Sequence, residues 1–215
     1  MLCSPESVIR YGNDPFRYFM LSEGRNHLDS DFSEVRVAVV INELANNLGN
    51  LLSRCTAKKI NLDRRVPLRT EVEGHFDEVD TELIAAVSGL RERVTEQYDR
   101  AQFGRGVSAI GEVLGHANRY VDHNQPWVLA KSPDDPEARQ RLRVTLYVTL
   151  EVLRIAGILL QPVCPAIATD LLDHVSGAGA GTGERTVHGT AFGALDGEAL
   201  AIRKKPLIPR CDVVL

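Results

Sequence analysis

The sequence predicts an all-α fold, an antiparallel bundle of four long helices joined by short or medium connections. Three observations predict it. Apolar residues recur every three or four positions over segments long enough to be helices. Strand-like alternation is nearly absent. Capping residues and prolines punctuate the periodic segments.

Residues 1–30 read as a short leading segment. One helix is expected from Ser7 to Leu21, with Val8, Tyr11, Phe16, Tyr18 and Phe19 offering apolar contacts; Gly24, Asn26 and Asp29 then read as a loop. The first long helix is expected to begin near Phe32, with Asp31 as cap and Glu34 as its reciprocal partner. Val40, Leu44, Leu48, Leu51 and Cys55 mark its buried stripe, and Lys58 and Lys59 suit its negative C-terminal end. A charged connection holding Pro67 follows, from Asn61 to Gly74. The second long helix spans roughly Asp80–Arg100, with Leu83, Val87, Leu90, Val94 and Tyr98 inward. The third runs from about Ala101 or Arg105 to Asn124, on the stripe Val107, Ile110, Val113, Leu114, Ala117 and Val121, and Pro126 ends it. The fourth starts at Pro136, capped by Asp135, and continues through Leu142, Leu146, Leu150, Leu153 and Ile158 to about Leu160. Pro162 and Pro165 break it, and a short helix covers Ala166–Val175. Alternating Gly177, Gly179, Gly181 and Gly183 read as a loop. A phosphate cradle would need a strand before it and a helix with a lysine after it. The expected organisation is a linking segment at 1–30, the bundle at 31–176, and a Gly-rich loop with a tail at 177–215.

The composition is that of an ordinary globular chain: 44% hydrophobic and 25% charged over 215 residues, which excludes a disordered or fibrous protein. A net charge of −4 provides no global field toward nucleic acid, so RNA binding would have to be local and shape-specific. Neither a membrane nor DNA is expected as a partner. The most apolar stretch, Leu142–Ala168, contains Arg143, Glu151, Arg154, Gln161 and Pro162, too polar for a span. The first residues match no signal or transit pattern, since Pro5, Glu6 and Arg10 follow closely on Met1. Cys3, Cys55, Cys164 and Cys211 are scattered and form no CxxC pair, which suggests buried thiols rather than a zinc site. The six histidines show no HxxxH or HExxH spacing, and no GxSxG elbow is present.

The informative segment is INELANNLGNLLSRCTAKKI, Ile41–Ile60. Asn42, Asn46, Asn47 and Asn50 crowd one helix, although Asn is a mediocre helix former. Asn46, Asn50 and Arg54 recur every four residues, along one strip of amides and a planar guanidinium. Such groups read unpaired base edges and stack on base faces; the alternative is bonding to neighbouring helices. Trp127, the only tryptophan, follows Pro126 at a helix end, where it could stack on a flipped-out base or plug the gap between helices. Arg54, Lys58, Lys59, Arg64 and Arg65 form a local basic run, suited to phosphates or to a solvated loop.

Several segments then match a known pattern. YGNDPFRYFML (11–21) resembles the segment after the signature lysine loop of methionyl-tRNA synthetases, and DSDFS (29–33) resembles the start of their anticodon-binding bundle. INELANNLGNLLSR (41–54), NRYVDHNQPWVLAK (118–131), LYVTLEVLRIAGILLQPVCP (146–165) and PLIPR (206–210) are similar to further motifs of that family, in the same order. LLSRCTAKKIN and the short tail look most like the mitochondrial branch, which implies the mitochondrial matrix, with the cytoplasm as the alternative. The resemblance implies that Asn46, Asn50 and Arg54 bond to or stack on bases of the methionine tRNA anticodon loop. It also implies that Trp127, set up by Pro126, stacks on one of those bases, with Lys58 and Lys59 as phosphate contacts. The family's HIGH motif and KMSKS loop have no counterpart in these 215 residues, so no catalytic residue is assigned. ATP and Mg belong to the parent enzyme, with no cofactor in this chain, and the N-terminal catalytic domain is an expected partner. Two other readings fit the residues: an inactive helical interaction or regulatory relic, and the related bundle of a cysteine-, valine-, leucine- or isoleucine-type synthetase.

Overall fold

The structure, a computed structural model, describes residues 9–23, 33–176, 185–201 and 205–211. Among these residues pairing of extended backbone is confined to an isolated antiparallel bridge between Arg65 and Ala199, and the rest of the regular structure is helical.

Helix α1 is Asn13–Glu23. Residues 9–11 are already helical, and Gly12, at a left-handed φ of 85°, interrupts the expected Ser7–Leu21 helix just before α1; Ser7 and Val8 lie outside the described residues. Asp14 is buried, and its Oδ2 accepts the Ile167 N–H at 2.8 Å. Arg17 donates to the Val163 and Pro162 carbonyls at 2.9 Å each. The leading segment is thereby fastened to a corner of the bundle.

The expected first long helix is three consecutive pieces: α2 (Glu34–Leu44), a π-helical turn (Ala45–Asn50) and α3 (Leu51–Thr56). Its cap is Ser33, whose side chain accepts the Arg36 N–H; Asp31 and Phe32 lie outside the described residues. The helix stops at Thr56 rather than at the lysines. The backbone at Ala57 turns extended, and the Ala57 carbonyl accepts the N–H groups of Ile60 and Asn61, both buried. Lys58 and Lys59 thus sit in a turn and do not complement a helix end.

A one-turn helix, α4 (Arg69–Val72), occupies the charged connection. The expected second long helix is split into α5 (Glu78–Ser88) and α6 (Leu90–Asp99). The break is at Gly89, whose φ of −82° and ψ of −2° belong to both ends, and α5 begins earlier because Asp77 caps it reciprocally with Asp80. Helix α7 (Phe103–Asn124) ends at Gln125, which adopts the left-handed conformation; Pro126 then opens a further turn, α8 (Pro126–Leu129). Helix α9 (Pro136–Leu160) has the expected bounds and the expected cap, the Asp135 carboxylate accepting the Glu137 N–H at 3.0 Å. Helix α10 is Pro165–Val175, and a 3-10 turn covers Val187–Thr190.

The period-derived stripes are the core. Leu48, Leu51, Leu83, Leu90, Ile110, Leu114, Leu150 and Leu153 are all fully buried, whereas Leu142 and Tyr98 are only half-buried. From Val144 to Leu160, α9 is buried on every side, so it is the central helix around which the others pack. The two charges of this stretch are internal: Glu151 and Arg154 pair at 2.8 Å. Glu151 accepts the N–H groups of Gly193 and Leu195, and Arg154 donates to the Gly189 and Ala191 carbonyls. This pair holds the segment after the Gly-rich stretch, while Leu195, Leu200, Leu207 and Ile208 bury their side chains in the same core. Gly177, Gly179, Gly181 and Gly183 lie outside the described residues.

Cys55 and Cys164 are buried free thiols, and burial pushes each up to about 12; Cys211 is half-buried, and Cys3 lies outside the described residues. Among the described residues no helix is long and apolar enough to cross a membrane.

Candidate nucleic-acid interface

The Asn-rich helix is irregular where its asparagines cluster. ANNLGN forms the π turn, a wider coil that is rare and frequent at functional positions. Its backbone is held from outside: Asn118 Nδ2, on α7, donates to the Asn47 and Leu114 carbonyls at 2.9 Å each.

The four asparagines divide. Asn42 exchanges two hydrogen bonds with the Cys211 backbone, at 2.9 and 3.0 Å. Asn46 is exposed and accepts from Arg210 at 2.9 Å. Asn47 is half-buried against α7. Asn50 is exposed, and its side chain makes no hydrogen bond among the described residues. The expected open strip is therefore modified at one end. Asn46 is tied to the PLIPR segment, whereas Asn50 and Arg54 remain one helical turn apart on the same side.

Trp127 follows from the backbone before it. Gln125, at φ 46°, reverses the chain, and Pro126 is buried and starts α8, so the indole turns back along the bundle. Its ring is half-buried against the core, and the Arg54 guanidinium lies over it, 4.7 Å from the ring centroid. Arg54 is held there by Asp122 of α7, at 2.5 Å. A guanidinium over an indole is a favourable cation–π pair, worth about 0.5–1 kcal/mol where solvent reaches it. The result is a flat platform of indole and guanidinium with a free amide one turn along. The ring packs on the core and still presents surface.

Below the platform lies a polar network that fixes the end of α7. Asp80 is fully buried. It receives both Arg141 terminal nitrogens at 2.6 and 2.9 Å, and the Tyr120 hydroxyl at 2.6 Å. Arg141 Nε donates to Asn124 at 2.8 Å, and Asn124 donates to the Tyr120 carbonyl. Burial by itself would raise the Asp80 carboxyl, but the bonds from Arg141, Tyr120 and the Asp77 N–H outweigh it and hold it below the usual carboxylate range. Burial and the neighbouring Asp80 carboxylate push the Tyr120 hydroxyl up.

The basic run separates as well. Arg65 is paired bidentately with Glu71 at 2.8 and 2.9 Å, so it is not free for phosphate. Lys58 and Lys59 are exposed and have no carboxylate partner among the described residues. Also among the described residues, no group of three or more His, Cys, Asp or Glu side chains could hold a metal ion. Sequence reasoning missed Asp122, Asn118 and Arg210 as parts of the site. PLIPR and NRYVDHNQPW pointed to their segments, but not to the partners they meet.

The model of the anticodon binding domain of methionyl tRNA ligase matches residues 71–191, more than half of the chain. The chain belongs to that family. A second model, of class I (M) tRNA synthetases, matches residues 3–56. The methionine–tRNA ligase of Mycobacterium tuberculosis is 41% identical over 188 residues, covering 84% of this chain and 35% of the relative. The human mitochondrial methionine–tRNA ligase is 34% identical over 184 residues, covering 77% of this chain and 30% of the relative. The crystal structure of free Mycobacterium tuberculosis methionyl-tRNA synthetase superposes with a TM-score of 0.86 at 37% identity, covering 98% of this chain and 41% of that one. The same enzyme solved with methionyl-adenylate gives a TM-score of 0.84 at 36% identity, covering 95% of this chain and 39% of that one. The chain thus spans about a third of the length of the curated relatives it matches. The family selects the methionyl-type bundle over the cysteine-, valine-, leucine- and isoleucine-type alternatives. Bacterial and mitochondrial ligases both match.

Proposed function

We propose that this chain reads the methionine anticodon as the C-terminal part of a methionine–tRNA ligase. The observation that carries the reading is the Arg54–Trp127 stack at 4.7 Å, with the unengaged Asn50 amide one turn away. An unstacked base lies on the exposed ring surface, and Asn50 and Arg54 bond to base edges; Asn46 acts with Arg210, Pro126 sets the indole, and Lys58 and Lys59 meet phosphates. The bundle at 31–176 carries the recognition, with 1–30 contacting the RNA stem. Aminoacylation belongs to a catalytic domain of the parent enzyme, which uses ATP and Mg. No step of it is assigned to residues here. Similarity to the human, Bos taurus and Dictyostelium mitochondrial ligases supports a mitochondrial setting, and the bacterial relatives support the alternative.

The test is a titration of fluorescently labelled anticodon stem-loops against the 215-residue chain. The methionine loop is expected to bind more tightly than a scrambled loop. Trp127→Ala is expected to weaken the methionine loop by about 5- to 150-fold, the range for losing one base–aromatic stack. Equal affinity of wild type and variant rejects stacking. Equal affinity of the two loops favours the helical relic.

A further inference from the structure

A concavity opens beside α3. Its volume is about 420 Å³, and its walls come from α3, the turn that follows it and the tail around Lys205. Three cationic side chains line it: Lys58, Arg64 and Lys205. Lys58 and Arg64 come from the connection after α3 and Lys205 from the tail, and no carboxylate lines the cleft among the described residues. Ser53 adds a hydroxyl at its rim, next in sequence to Arg54 of the platform.

The fold gathers these cations deliberately. The Val66 N–H donates to the Glu198 carbonyl and the Leu200 N–H to the Arg64 carbonyl, at 2.8 and 2.9 Å, around the Arg65–Ala199 bridge. This pairing draws the tail against the turn and forms the cleft. Arg64 itself is held at φ 50°, a left-handed conformation that an L side chain adopts at a cost. Its neighbour Arg65 points into an ion pair with Glu71, whereas Arg64 has no carboxylate partner among the described residues. In a chain of net charge −4, with most described arginines paired, cations converging on a cleft that no described carboxylate lines stand out as an anion site.

We propose that this cleft binds a backbone phosphate of the same RNA whose bases reach the Arg54–Trp127 platform. The proposal rests on the RNA-binding reading above. It adds Arg64 and Lys205 to Lys58 as the phosphate-binding set. The platform would supply base identity, and the cleft sequence-independent anchoring.

The experiment measures stem-loop affinity against salt for wild type, Arg64→Gln and Lys58→Gln. Lys58 is exposed in a turn, so its variant leaves the packing intact if Arg64→Gln disturbs the strained turn. Each variant is expected to flatten the slope of log affinity against log salt by about 0.7, the value for one single-stranded phosphate contact. The flattening should be equal for methionine and scrambled loops. Unchanged slopes in both variants overturn the cleft even if Trp127→Ala still abolishes loop discrimination. Flattened slopes without any discrimination between loops keep the cleft and reject base readout. Inorganic phosphate is titrated in parallel. Phosphate binding that Arg64→Gln removes, with RNA slopes unaltered, makes the cleft a small-anion site and overturns the RNA assignment.

Discussion

Arg154→Met is expected to destabilise the chain by about 3–5 kcal/mol, the range for removing one partner of a buried ion pair. The variant keeps an apolar stem of similar length but strands the Glu151 carboxylate, which has no exposed surface. It also strands the Gly189 and Ala191 carbonyls, to which Arg154 donates. The loss should appear as a lower urea midpoint with little change in slope. A double change of Glu151 and Arg154 to Leu and Met should recover part of it, because no unpaired charge then remains. The Gly193 and Leu195 N–H groups, which now donate to Glu151, limit that recovery. A midpoint within error of wild type in Arg154→Met contradicts the role given to the pair.

Asp80→Asn is expected to cost about 3 kcal/mol by the same logic, since Arg141 loses its bidentate carboxylate and keeps Asp77, at 3.1 Å, as its one carboxylate partner among the described residues. This effect has a defined pH dependence. The folded Asp80 carboxyl titrates below its unfolded range, so its stabilisation is complete above the unfolded value of about 4. It is lost as the pH falls through the lower folded value. The gap in melting temperature between wild type and Asp80→Asn should therefore be constant above about pH 5 and close progressively in acid. A gap that widens in acid contradicts the assignment. The network also fixes Asn124 next to the Gln125–Trp127 turn, so the variant should weaken stem-loop binding, although Asp80 is fully buried.

These two networks show where sequence reading stops. The helical stripes were legible because burial on one face follows from residue period alone, and α9 took its expected bounds from Asp135 and Pro136. The π turn was not legible. The crowd of asparagines at 42–50 signalled an unusual stretch, but the Asn118 donor that supports it is 71 residues away from Asn47. Asp80 read as a helix-start acid; its partners Tyr120 and Arg141 are 40 and 61 residues distant. Glu151 and Arg154 served in the sequence only as charges too many for a membrane span. Their function of holding residues 189–195 depends on a tail whose path no local propensity dictates. Within the site, spacing placed Asn50 and Arg54 one turn apart. It did not show that Arg210 engages Asn46 or that Asp122 steers Arg54 onto the indole.

Because Trp127 is the only tryptophan, its emission reports the platform without any label. The decisive measurement is that emission during titration with the methionine anticodon stem-loop, with binding followed independently by anisotropy of the RNA. Stacking of a base on the half-exposed ring predicts strong quenching that saturates with binding and is much weaker for a scrambled loop. Unchanged Trp127 emission at saturating methionine loop contradicts base reading at this platform.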